Sequence, residues 1–303
     1  MIKRLEFWGG VMRQYLDSLS YLLDTGELCK NRTGIDTYSI FGYQMRFNLQ
    51  HGFPAITTRK LAWRSVVGEL LWFLEGSTDE RRLAEITYEK SREELVDVKT
   101  IWTANADHQG KALGYINNPV RKELGPIYGR QWRAFNGENN RRGVDQIKLL
   151  CEELQQNPYS RRLIFSSWNP NQINKMALPP CHVMAQFRVM HNRLSCQLYQ
   201  RSVDIALGFP FNVASYALLT HMVADYAQFE VGNFIHTSGD MHIYVNHIEG
   251  VKKQLERIPR KLPILSMPTI KSFDIDYIKS LKVSDFNLLG YDPLDSIKFD
   301  MAV

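Results

Sequence analysis

No CxxC pair occurs among the four cysteines of this 303-residue chain, and Cys29, Cys151, Cys181 and Cys196 are widely spaced. This excludes a zinc ribbon or a disulfide-stapled scaffold. It points instead to a reduced, cytosolic protein with room for one reactive thiol. Long apolar runs are missing too. The densest, Val66 to Leu74, is broken by Glu69 and falls well short of the ~20 residues of a membrane span. The opening residues, Met1 to Trp8, lack the apolar stretch of a signal peptide. A cytoplasmic location without membrane association is therefore expected.

Nucleotide and metal signatures are equally scarce. The chain has neither a Gly-x-x-x-x-Gly-Lys loop nor a Gly-x-Gly-x-x-Gly fingerprint, so triphosphate and dinucleotide folds are not indicated. His242 and His247 do not have the His-Glu-x-x-His spacing, and no cysteine lies near them; no metal is expected. Nothing in the sequence repeats, and no low-complexity linker divides it. A single domain over 1–303 is expected, with surface insertions around 87–123 and 136–143, where Asn, Gly and charge accumulate.

What is present is ordinary globular material, 44% apolar, enough at this length to build a core without covalent staples. The 37 basic and 32 acidic side chains leave a net charge of +5. That mild excess suits an anionic ligand and is too small for a nucleic-acid coat. Apolar periodicity predicts a helix over Met12 to Leu23, closed by Gly26, and another over Trp63 to Leu74, stopping at Gly76. A turn is expected at Asn31-Arg32-Thr33-Gly34 and a strand from Thr37 to Phe47. Alternation from Val183 to Met190, a turn at His191-Asn192 and a second run from Leu194 to Arg201 predict an antiparallel hairpin. A long apolar helix is expected over Asn212 to Phe229. Without a regular βαβ rhythm, the class is α+β.

Several residues could carry chemistry. Cys181 follows Pro179-Pro180, which stiffen its approach. Its thiol acts as a nucleophile only where positive charge favours the thiolate, and Arg161, Arg162 and Arg201 are candidate sources. Against this stands the common role of a cysteine as a small buried hydrophobe. Glu69 has Ser65, Val66, Trp72 and Phe73 as helical neighbours, so it lies at the edge of an apolar stripe or is buried with a raised pKa suited to acid–base work. Arg32, Arg161, Arg162 and Arg201 are separated, which fits one compact phosphate better than a polynucleotide track; singly, each reads as a solvated charge. Asn212 could read a pyrimidine edge or simply cap its helix. His242 and Tyr244 share one side of a strand.

Taken in order, these segments resemble the thymidylate synthase family. The resemblance rests on Asn31-Arg32-Thr33-Gly34, Gly52-Phe53-Pro54, Glu69 to Leu74, Leu124 to Arg133, Pro180-Cys181-His182, Tyr199 to Ser202, Asn212 to Tyr216 and Gly239 to Tyr244. It runs from about residue 12 to the C-terminus. It implies a thymidylate synthase-like α+β fold, a mixed sheet packed with helices, with one sheet face forming a homodimer interface. The implied reaction converts dUMP and methylenetetrahydrofolate into dTMP and dihydrofolate.

By the same resemblance, Cys181 attacks carbon 6 of the uracil ring, Asn212 holds the ring's amide edge, Glu69 relays protons through water at the 4-carbonyl and Tyr128 belongs to the network near carbon 5. Arg32, Arg201 and Ser202 would hold the phosphate, with Arg161 and Arg162 coming from the other subunit. His182 and Gln200 would lie against the nucleotide, and His242 and Tyr244 would hold the ribose hydroxyl. Trp102, Asp204, Arg59 and the carboxylate of Val303 would face the folate, Asp204 also touching the nucleotide and taking part in the chemistry.

Asn212 points to uracil, because relatives acting on dCMP carry aspartate there. The chain departs from the family's pattern around the folate: Thr103-Ala104-Asn105 replaces an acidic pair and a second tryptophan, Ser238 and Met241 replace glycine and threonine, and Arg59 replaces a lysine. The nearest rival is a dUMP hydroxymethyltransferase on the same fold. A non-catalytic nucleic-acid module would use Arg121-Lys122, Arg141-Arg142 and Lys252-Lys253, which are scattered rather than striped.

Overall fold

The computed structural model describes residues 10–31, 33–137 and 143–300. Helix α1 (Arg13–Thr25) leads into a short strand β1 (Glu27–Cys29) and the long β2 (Thr37–Asn48). Helices α2 (Trp63–Glu75) and α3 (Glu80–Tyr88) follow, then α4, which opens at Thr103–Asn105 and continues as a π-helical turn over Ala106–Gly110. A two-residue ladder, β3 (Asn117–Asn118) with β4 (Arg121–Lys122), closes this region. The stretch after Asn105, expected to be loop, therefore starts with helix. Next come α5 (Tyr128–Ala134), α6 (Gln146–Gln156), β5 (Ile164–Ser166), β6 (His182–Met190), β7 (Arg193–Asp204), α7 (Phe209–Tyr226), β8 (Glu230–Tyr244) and α8 (Ile248–Leu255). A small hairpin, β9 (Ile264–Ser266) with β10 (Asn287–Leu289), encloses α9 (Ile275–Ser280) in sequence.

Six strands form one mixed sheet in the order β1-β2-β8-β7-β6-β5. Every pairing is antiparallel except β7 with β8. That parallel pair needs a crossover, and α7 supplies it. The architecture is the expected α+β, with a single helical crossover in a mostly antiparallel sheet. The β6–β7 hairpin turns at His191 and Asn192, both at positive φ (50° and 60°), the twist that a two-residue turn must carry to match its strands.

Helix α7 is buried on nearly every side, as a helix that is apolar all round should be. It starts three residues before the sequence suggests, with Gly208 as its cap and Pro210 in its first turn, where proline's missing N–H costs nothing. Asn212 is thus inside the first turn and not the cap. Helix α2 is buried continuously from Val66 to Leu74 and ends at Gly76 in the left-handed region (φ 80°). Gly26 does cap α1, but with φ −66°; what it supplies is room, since a Cβ there would lie 3.3 Å from Tyr38 Cβ.

These helices cover one face of the sheet with a continuous apolar cluster. The opposite face is open: Arg188, Met190, Gln197 and Tyr199 are exposed along β6 and β7. On that face Gln44 and Gln197 both donate to the Thr237 hydroxyl, at 3.1 and 3.2 Å, so polar side chains bridge three strands.

Candidate active site

A cavity of about 530 Å³ opens between α2, α4, α5, the start of β6, the end of β7 and the start of α7. Cys181, Glu69, Tyr128, Asn212, His182, Gln200, Ser202, Asp204, Trp102 and Arg59 all line it. Residues from six parts of the chain meet there because β6 begins, β7 ends and α7 begins at one end of the sheet.

Cys181 sits in the residue before β6, part-exposed to the cavity. Its position is over-determined. The Cys181 N–H donates to the Tyr128 phenol oxygen at 2.7 Å, and its carbonyl accepts the Arg201 N–H at 2.9 Å. The Arg201 guanidinium donates from Nε to the Pro180 carbonyl (2.8 Å) and from Nη2 to the Pro179 carbonyl (2.9 Å), and it faces the Trp168 ring. Arg201 therefore fixes the loop that carries the thiol.

Glu69 projects from buried α2 and accepts the Trp102 indole N–H at 2.7 Å. Burial pushes its carboxyl up to about 7, and the indole hydrogen bond offsets part of that rise. Tyr128, buried against Phe73 and edge-on to Trp102, has its phenol pushed well above the usual range, first by burial and then by the neighbouring Cys181. His182 is pushed down to about 4 by burial, a hydrogen bond with Asn212 opposing the shift; its imidazole is neutral at pH 7. Asn212 Oδ1 accepts from Gln200 Nε2 at 3.0 Å, and Gln200 Oε1 in turn bonds the buried His236 at 2.9 Å. This chain leaves the amide edge of Asn212 held from behind.

Asp204 Oδ1 accepts the N–H groups of Ala206 (2.9 Å) and Leu207 (3.1 Å), shaping the turn from β7 into α7. Its other oxygen lies 3.6 Å from His247. Arg59 donates to the Ala206 carbonyl at 2.5 Å and stands over the Phe299 ring. His247 reaches the same C-terminal segment, bonding the Asp300 carbonyl at 2.7 Å.

The geometry decides the fate of each candidate. Ten line the cavity, as above. Arg201 acts on the cysteine loop and does not line the cavity. His242 and Tyr244 do share one side of β8, their rings edge to face at 5.2 Å. His242 pairs across from Asp204 and is anchored by Asp240 at 3.0 Å, so the two rings stand beside the cavity and outside its lining. Arg161 and Arg162 are exposed ahead of the edge strand β5 and do not reach this chain's own cavity. The turn at Asn31 is present, with Asn31 Oδ1 accepting the Thr33 N–H at 2.9 Å and Gly34 at φ 76°. Arg32 itself, Arg141-Arg142 and Val303 lie outside the described residues.

The chain matches the thymidylate synthase family over residues 13–303. It belongs to that family. The match covers nearly the whole sequence, and the mixed six-stranded sheet packed with helices fits the family's fold. Membership makes the chain an enzyme of the methyltransferase type with a thymidylate synthase-like function, and implies dUMP and methylenetetrahydrofolate as its ligands. Among the described residues no helix is long and apolar enough to cross a membrane.

Sequence reasoning missed Glu80 and Arg81, whose side chains meet the segment on either side of Trp102. It also missed Lys60 and Lys99 at the cavity wall and His236 behind Gln200. Two adjacent opposite charges on a helix carry no periodic signal of burial. His236 had one weak cue: it alternates in register with the buried Phe234 of the same strand.

Proposed function

We propose that this enzyme is a thymidylate synthase, methylating dUMP reductively to dTMP with methylenetetrahydrofolate as one-carbon donor and reductant. The observation that carries the reading is the convergence of Cys181, Glu69, Tyr128, His182 and Asn212 on one cavity. The Cys181 thiolate adds to carbon 6 of uracil: the sulfur–carbon bond forms as the 5,6 double bond opens, and carbon 5 becomes nucleophilic. Asn212, held by Gln200, supports the oxygen on which charge develops. Glu69, poised near neutral pH, passes protons through water at the 4-carbonyl. After carbon 5 has taken the one-carbon unit, loss of its proton would break that unit's bond to the folate nitrogen and leave an exocyclic methylene; hydride addition to the methylene would then reform the 5,6 double bond as the sulfur–carbon bond breaks and the Cys181 thiolate is restored.

Bound methylenetetrahydrofolate supplies the one-carbon unit and the hydride. The cavity residues suit such a ligand: Trp102, Leu178, Leu207 and Phe211 offer apolar walls, while Arg59, Lys60 and Lys99 add positive charge. Asp204 completes this side, and Val303 keeps the closing role that the resemblance gives it. The nucleotide phosphate falls to Ser202, Arg201 and Arg32, and the ribose to His242 and Tyr244. The open sheet face serves a homodimer in which Arg161 and Arg162 reach the partner's phosphate; their exposure, away from this chain's cavity, supports that assignment. The chain works as one domain in the cytoplasm.

Mass analysis of the nucleotide after incubation with dUMP and methylenetetrahydrofolate, with dihydrofolate absorbance followed in parallel, tests the reading. Stoichiometric dTMP and dihydrofolate are expected. Hydroxymethyl-dUMP without dihydrofolate would replace hydride by water at the last step. Unchanged dUMP from folded protein would overturn the proposal. Cys181→Ala is expected to abolish turnover while retaining dUMP binding.

A further inference from the structure

Glu80 and Arg81, consecutive residues opening α3, are both sealed from water, at 0% and 1% exposure. They form a two-pronged ion pair, Arg81 Nε to Glu80 Oε2 and Nη2 to Oε1, each at 2.6 Å. Burying two charges costs several kcal/mol per ion unless their remaining hydrogen-bonding capacity is used. Here it is used on one segment. Glu80 Oε1 accepts the hydroxyls of Thr100 (2.7 Å) and Thr103 (2.6 Å). Arg81 donates to the carbonyls of Leu95 (2.8 Å) and Val98 (2.9 Å).

That segment carries Trp102. The Thr100 hydroxyl also accepts the Trp102 N–H at 3.2 Å, and the Thr103 hydroxyl accepts the Thr100 N–H at 2.8 Å. Trp102 then presents its indole N–H to Glu69. We propose that Glu80 and Arg81 are a positioning pair, which through Thr100 and Thr103 keeps the Trp102 indole aimed at Glu69. Thr103 stands where the family's usual pattern is broken, and Glu80 is what it bonds. The proposal rests on the reading that Glu69 and Trp102 work in the cavity.

A salt bridge with a merely structural role tolerates well-packed apolar replacement, so Glu80→Leu with Arg81→Met separates the two roles. Thr100→Val with Thr103→Val, which keeps the ion pair, is the second variant should the first not fold. With folding intact by thermal melt, the KM for methylenetetrahydrofolate should rise roughly tenfold, a coupling of ordinary size. The pH–rate limb governed by Glu69 should move, while the dUMP dissociation constant stays within about twofold. In a Trp102→Phe background the same changes should add less than about twofold. Unchanged KM and pH profile, or effects that multiply fully in the Trp102→Phe background, would overturn the proposal. Amide hydrogen exchange over residues 95–105 is read without turnover: faster exchange in the threonine variant supports the clamp, and unchanged exchange sinks it. Failure of the unmodified enzyme to make dTMP would count against the functional reading alone.

Discussion

The phenol oxygen of Tyr128 and the backbone nitrogen of Cys181, 53 residues apart, lie 2.7 Å from each other. The contact joins α5 to the cysteine loop at the point where β6 begins. Tyr128 is itself wedged against Phe73 at 4.8 Å and His182 at 5.1 Å between ring centres, so the direction of the thiol depends on an aromatic stack. Replacing the phenol by Phe would keep the stack and strip the Cys181 N–H of its acceptor. Tyr128→Phe should cost about 1–3 kcal/mol of stability, the penalty for a buried donor left unpaired. Turnover should fall by an order of magnitude or more, with dUMP binding little changed. Urea unfolding and single-turnover kinetics would check both.

Glu69 makes stability depend on pH in a direction unusual for a carboxylate. Its folded pKa of about 7 stands above the ordinary 4.5, so the folded state holds the proton more tightly. Stability is fully kept below pH 4.5 and is lost as pH rises toward 7, by about 3 kcal/mol. Glu69→Gln, neutral throughout, should remove that loss. Denaturant midpoints of the two proteins between pH 4.5 and 8 would measure it; parallel curves would refute the shift.

The histidines act in the opposite sense. Burial pushes His221 and His182 down to about 4 and His236 to about 3. Below pH 6.5 the unfolded chain binds protons that the folded one resists, so stability should fall as pH drops through that window. His221, whose Nε2 is shut off from solvent beside Phe53, lies outside the cavity. His221→Leu should soften the acid limb of a Tm–pH profile without changing turnover at pH 7.

Asn212 accepts from Gln200 through Oδ1, which leaves its amide nitrogen to donate to a ring carbonyl. A carboxylate at this place would present only acceptors, matching cytosine's exocyclic amine. Asn212→Asp should shift preference from dUMP toward dCMP, read as the ratio of kcat/KM values. Unchanged selectivity would remove Asn212 as the base reader.

Much of this site was legible in the sequence because short ordered motifs bracket it. Cys181 after two prolines, Glu69 inside an apolar helix and Asn212 near the start of α7 all occupy the cavity. Local patterning also predicted α2 and the β6–β7 hairpin, whose periodicity and turn residues are local physics. The start of α7 escaped it, since Phe209 and Pro210 read as equally good loop and helix. Helix α4 escaped for a similar reason: its polar residues carry no apolar stripe.

The amino-acid order by itself determined which side chains could do chemistry, and the α+β class from the alternation of its strands and helices. Only the tertiary structure decided how those groups behave. It buried Glu69 enough to raise its pKa and tied Trp102 to a buried ion pair. It turned Arg201 toward the carbonyls of Pro179 and Pro180. Those outcomes come from burial and from hydrogen bonds between residues distant in sequence, which no local pattern encodes.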